Sequence, residues 1–150
     1  MELTNFKDAI TFAIRKEAEA FNLYTTYGQL IKTPGLKKMF QELAQQEKLH
    51  REILENIGKK DVSAYILKDI PDLKIGDFVK EEEFSPDMDY ASALRLAIKR
   101  EENSLKLYQH LASGTNDPEL KKLFSSLAQE ESKHKLRLET EYDESVLKWA

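Results

Sequence analysis

Gln45-Gln46-Glu47-Lys48-Leu49-His50 is the stretch on which the reading of this chain turns. Apolar residues recur around it at helical spacing: Leu36, Phe40 and Leu43 before it, Leu54 and Ile57 after it. Glu47 and His50 fall on the same stripe, and residues three apart on a helix point the same way. A helix that turns a carboxylate and an imidazole toward its own core needs something there to bind them, because uncompensated polar groups are costly in an apolar interior.

The pattern occurs twice. Residues 9–56 align with residues 93–140 at a constant offset of 84, without a gap. Glu17 falls on Glu101, Tyr24 on Tyr108, Pro34 on Pro118, Lys37-Lys38 on Lys121-Lys122, Glu47 on Glu131 and His50 on His134. Two amphipathic hairpins share apolar positions by chance; they do not by chance share Pro, Tyr, Glu and His in register. The chain is an internal repeat.

Each half reads as two helices. The first spans about Phe6 to Leu30, with Asn5 as its cap and Asp8 in its first turn. Its inward stripe is Phe6, Ile10, Ala13, Glu17, Phe21, Tyr24, Gly28 and Ile31. Thr33-Pro34 starts the second, with Pro34 at the first helical position, where its missing N–H is no loss. That helix stops near Asn56, Ile57 and Gly58. The third begins near Asp89, carries Leu94, Ala97, Ile98, Glu101, Leu105, Tyr108 and Leu111, and ends before Ser113-Gly114. Asp117-Pro118 repeats the cap-plus-proline device. The fourth helix runs through Leu120, Leu123, Phe124, Leu127, Glu131, His134 and Leu138 toward Tyr142, Val146 and Trp149. Four such helices specify an all-α four-helix bundle in one domain over residues 1–150.

Residues 59–88 form the joint within that domain. Ile70-Pro71, Gly76, Glu81-Glu82-Glu83 and Ser85-Pro86 break it too often for a long helix. It is also too long for a tight turn. A helix of this length spans about 37 Å, which thirty irregular residues can cross, so the second and third helices are expected to be joined by a long crossover. Val62–Leu67 and Phe78-Val79 are expected against the bundle, and the glutamate run on a solvated face.

Composition narrows the chemistry. With 41% hydrophobic and 33% charged residues the chain is globular. It has no cysteine, which excludes disulfides, iron–sulfur clusters and thiol nucleophiles and leaves carboxylate and imidazole as strong ligands. A net charge of −4 argues against a nucleic-acid partner. The N-terminus carries mixed charge rather than a signal-peptide pattern, and no apolar run approaches the roughly 18–20 residues of a membrane span. A cytoplasmic location with no membrane partner is the expectation.

The polar residues forced inward are then Glu17 and Glu101 from the first and third helices, and Glu47, His50, Glu131 and His134 from the second and fourth. Four ionised carboxylates in one dry core repel one another and lose hydration. Two divalent cations neutralise them. Oxygen ligands with imidazole nitrogens suit iron or manganese, with zinc as an alternative. His110, equivalent to Thr26, lies off the stripe and is expected at the surface. Phe40, Phe124 and Trp149 are expected to pack.

This constellation resembles the rubrerythrin family of ferritin-like di-iron carboxylate proteins. That family carries Glu on helices one and three, Glu-x-x-His on helices two and four, and a long crossover; the likeness runs from Phe6 to about Tyr142. Glu17-Ala18-Glu19-Ala20-Phe21-Asn22-Leu23-Tyr24 resembles the family's first-helix segment, and Glu101 with Tyr108 repeats its spacing. The two Glu-x-x-His motifs favour this branch over ferritin, which has His in only one. The resemblance implies two iron ions held by Glu17, Glu47, His50, Glu101, Glu131 and His134, with Tyr24 and Tyr108 as hydrogen-bonding neighbours of the carboxylates. It implies an oxidoreductase acting on O2 or H2O2, and a homodimer as among relatives. Two departures stand out. Peroxide-reducing members carry a further Glu where this chain has Ser104, and Glu102 points about 100° away from the Glu101 face. With no cysteine the rubredoxin-type domain is missing, so a separate electron donor, such as a rubredoxin-like protein, is implied. An iron-binding or storage protein, and a metal-stabilised scaffold without turnover, are the alternative readings of the same residues.

Overall fold

The computed structural model of the chain describes residues 6–59 and 83–147. They are all-α, with no strand among them: α1 is Phe6–Leu30, α2 Pro34–Lys59, α3 Tyr90–Gly114 and α4 Pro118–Ser145. Helices α1 and α2 pair as one hairpin, α3 and α4 as another. No described helix is long and apolar enough to cross a membrane.

The first hairpin turns over Ile31, Lys32 and Thr33. The Ile31 amide still donates to the Tyr27 carbonyl, at 2.9 Å, and the Lys37 amide to the Thr33 carbonyl, also at 2.9 Å. Thr33-Pro34 therefore opens α2 as its sequence predicts. Six of the eight residues of the expected stripe on α1 are buried. Phe6, Ile10, Ala13, Glu17, Tyr24 and Gly28 are buried, and so are Ala9, Phe12, Ala20, Leu23 and Tyr27, which lie beside it. The buried arc is wider than one stripe. Phe21 is only half-buried, with the Arg51 guanidinium of α2 lying over its ring, 5.7 Å from the centroid. Near the turn, Gly28 faces Phe40, and a Cβ added there would meet the Phe40 Cβ at 3.5 Å, an ordinary contact.

The second hairpin repeats the design with stronger caps. Asp89 precedes α3 and accepts the Ser92 amide at 2.7 Å. Asp117 precedes Pro118 and accepts the amides of Glu119 and Leu120 at 2.9 and 3.1 Å. Helix α3 continues through Ser113-Gly114, which the sequence sets outside it, and closes at Thr115. The open end of this hairpin is tied by polar contacts: the Tyr90 hydroxyl donates to Glu141 at 2.9 Å, and Arg95 donates to the Tyr142 hydroxyl at 3.0 Å.

Aromatic packing repeats with the sequence. Tyr24 and Phe40 lie with ring centroids 6.0 Å apart, and their counterparts Tyr108 and Phe124 stack at 6.5 Å. All four rings are buried, so Phe40 and Phe124 pack as expected. Ile31, Leu36, Ile98, Leu105 and Leu123 are half-buried rather than core, as helix-edge positions are. His110 is half-buried, not at the surface. Asn5, Trp149, the stretches 62–67 and 78–79 and most of the crossover lie outside the described residues.

Candidate metal centre

In the first hairpin α1 supplies Glu17, and α2 supplies Glu47 and His50 one turn apart. Glu17 and Glu47 are 1% exposed and His50 is 5% exposed. One donor atom from each lies within 4.8 Å of those of the other two. His50 Nδ1 is 3.8 Å from Glu17 Oε2.

The second hairpin builds the same set. Glu101 comes from α3, Glu131 and His134 from α4, and all three are buried. Their donor atoms again lie within 4.8 Å of one another. His134 Nδ1 is 3.6 Å from Glu101 Oε2 and 3.7 Å from Glu131 Oε2. All six polar residues expected to point inward, Glu17, Glu47, His50, Glu101, Glu131 and His134, are buried.

These separations carry chemical information. They exceed the 2.7–3.2 Å of a nitrogen–oxygen hydrogen bond. Two ligand atoms each about 2.1 Å from a shared cation, roughly 120° apart, stand about 3.6 Å from each other. The spacing therefore fits donors arranged around an ion better than donors sharing a proton. The donor set fits too: each hairpin offers two hard carboxylates and one imidazole, the mixture that iron, manganese or zinc accepts.

The residues one turn from Glu101 agree with the sequence reading. Ser104 is half-buried and offers no carboxylate. Glu102 turns away to Lys106 at 3.3 Å and Lys99 at 4.0 Å. Partial burial alone would push its carboxyl up, but the hydrogen bond and charge of Lys106, with Lys99 and Lys135, hold it below its ordinary value. It serves the surface.

Three buried polar residues were not anticipated: Arg100, Asn103 and, at the end of α3, Thr115. Arg100 and Asn103 flank Glu101 at 8% and 2% exposure. At the repeat offset they fall on Lys16 and Glu19, which form an ordinary ion pair at 3.3 Å, so the alignment masks them. The signal available was an Arg placed next to an inward Glu.

Comparison with known proteins agrees with this geometry. The family model described as Rubrerythrin matches residues 8–142. Among solved structures, a Thermotoga maritima protein provisionally described as a ferritin-like diiron-carboxylate protein is similar, with a TM-score of 0.77 and 25% identity over 97% of this chain and 100% of that one. A hypothetical protein from Pyrococcus furiosus shares the fold, with a TM-score of 0.73 and 24% identity over 95% of this chain and 90% of its own. No curated protein matches the sequence.

Proposed function

The chain belongs to the rubrerythrin family, a ferritin-like four-helix bundle by fold class, and on that premise we propose that it is a di-iron oxidoreductase that reduces O2 or H2O2. Glu17, Glu47, His50, Glu101, Glu131 and His134 hold the two metal ions. The observation that carries this reading is one buried Glu–Glu–His set per hairpin, in the same register in both. Four carboxylates supply −4 and two divalent ions +4, which removes the cost of burying like charges.

Bound there, a redox-active ion pair supplies the two electrons that turn H2O2 and two protons into two waters. The chain's residues do the rest. His50 and His134 must be neutral to act as ligands, with the proton on Nε2 and the Nδ1 lone pair turned to the carboxylates. The buried aromatic pairs Tyr24–Phe40, tilted, and Tyr108–Phe124, stacked, keep the interior of each hairpin dry, and the two tyrosine hydroxyls are donors suited to steady a ligand carboxylate. Ser104 would offer no seventh carboxylate to exchange with a His ligand. These four helices hold no cysteine for an iron–sulfur redox centre of their own, and a rubredoxin-like protein is a donor suited to supply the electrons.

The test is metal content and redox behaviour together. Natively purified protein is expected to hold two iron ions per chain, and its anaerobically reduced form to be re-oxidised by one equivalent of H2O2 much faster than free ferrous ion. Native zinc, or a reduced form inert to both oxidants, would overturn the proposal.

A further inference from the structure

The repeat places its two Glu–Glu–His sets in different electrostatic surroundings. Ahead of Glu17 on α1 stands Lys16, half-buried, with the Glu19 carboxylate 3.3 Å from its ammonium. The same positions of α3 hold Arg100 and Asn103, both buried. A lysine and a glutamate, which sum to zero, have become an arginine and a neutral amide, which sum to +1. At about 100° per residue, Asn103, Arg100 and Glu101 share an arc of α3 roughly 160° wide. That arc is buried. The added charge is therefore removed from solvent, and the nearest acid along its helix is the ligand Glu101.

The other cations beside ligand residues stand closer to water or to acids. Arg51, after His50, has Glu55 at 3.6 Å, and Lys133, before His134, has Glu130 at 3.4 Å. Lys135, after His134, lies near Glu102 and helps to hold that carboxyl below its ordinary value. Lys48, after Glu47, is only half-buried, and water and salt screen a charge in that position. Among the described residues Arg100 is the one buried lysine or arginine. A permanent positive charge next to a metal set acts in two opposite directions. With no ion bound, it offsets part of the repulsion between Glu101 and Glu131. When a cation approaches, the same charge opposes it, and in a medium of low polarity that opposition carries further than it would in water. A guanidinium cannot shed its proton to escape the conflict.

We propose that Arg100 makes the two sets unequal: the first hairpin takes its ion before the second, and Arg100 serves the second set as a counter-charge until its ion arrives. Arg100 is a positioning residue, acting on the ion through the field it sets up at the ligand carboxylates. Its role rests on the six ligands proposed above and on none of their redox chemistry.

Titration of the full-length chain with Co2+, followed by visible absorption against a competing chelator, measures one set at a time. His134→Ala leaves the first set intact, and His50→Ala leaves the second. The first set is expected to bind Co2+ at least about fivefold more tightly than the second. Arg100→Gln added to His50→Ala should narrow the difference to within about twofold, whereas Arg100→Lys should preserve it. Lys16→Gln added to His134→Ala should change little. Thermal melts in chelator give a second readout. Arg100→Gln should lower the melting temperature of the ion-free protein while tightening Co2+ binding by the second set; loss of packing alone would lower both. Asn103→Glu, which restores the acid of the first hairpin, should also tighten the second set with the arginine still in place. Equal affinities in the two His→Ala proteins, or a tighter second set, overturn the proposal without any change at Arg100. So does an Arg100→Gln protein whose second set binds Co2+ no better than before. A chain that binds Co2+ at neither set overturns the ligand assignment as well.

Discussion

Glu131 has two neighbours that decide its worth: the His134 ring 3.7 Å away and an interior that excludes water. Without a cation its charge is a liability, and with one it is a ligand. Glu131→Gln is therefore expected to act in opposite directions on the two forms. It should raise the melting temperature of the chelated protein, by relieving repulsion among buried carboxylates, and lower that of the metal-loaded protein. Thermal melts with and without chelator check the sign. Replacing Glu47 or His50 with Ala should lower the metal content measured by mass spectrometry. Glu102 belongs to the other kind of acid. Its depressed carboxyl pKa means that it stabilises the fold above roughly pH 5 and ceases to as the pH falls through its folded value. Being about one-third exposed, it is worth only a few tenths of a kcal/mol. Glu102→Gln should cost that much at pH 7, nothing at pH 3, and no metal. The inward Glu and His residues were legible in the sequence because each occupies a position where the stripe calls for an apolar side chain. Arg100 and Asn103 were not, because burial of a polar residue at a stripe's edge is set by packing and not by period.

Helix ends and helix contacts follow rules that a sequence states openly. Asp117-Pro118 reads as a cap and a first turn, and the structure puts two amide hydrogen bonds on Asp117. Asp117→Ala should cost about 1 kcal/mol, read as a lower midpoint in chemical denaturation. Gly28 makes the converse case. The repeat carries Ala112 at the same position, buried, and a Cβ at Gly28 would meet only ordinary contacts. Gly28→Ala should stabilise the protein by about 0.5–1 kcal/mol, since glycine inside a helix costs that much against alanine. What the sequence understated was the width of the buried arc of α1. A single stripe predicts one covered face, whereas Phe12, Leu23 and Tyr27 are covered as well. Periodicity reports where apolar residues cluster; how far around the helix its neighbours reach is a property of the packed elements.

At the scale of the whole chain the repeat was the most legible feature, because an offset shared by Pro, Tyr, Glu and His survives any uncertainty over helix limits. Removal of metal is expected to destabilise the protein, by about 2.7 kcal/mol where free metal had stood at a hundred times its dissociation constant. Calorimetry before and after chelation measures it. The turn between α1 and α2 has a further consequence. It is three residues long, as is the one between α3 and α4, so in each half the facing residues are near neighbours along the chain. Short loops close at little entropic cost, and proteins rich in such local pairings cross their rate-limiting barrier quickly. Each half therefore closes through its own short turn, with no need to wait for contacts distant along the chain.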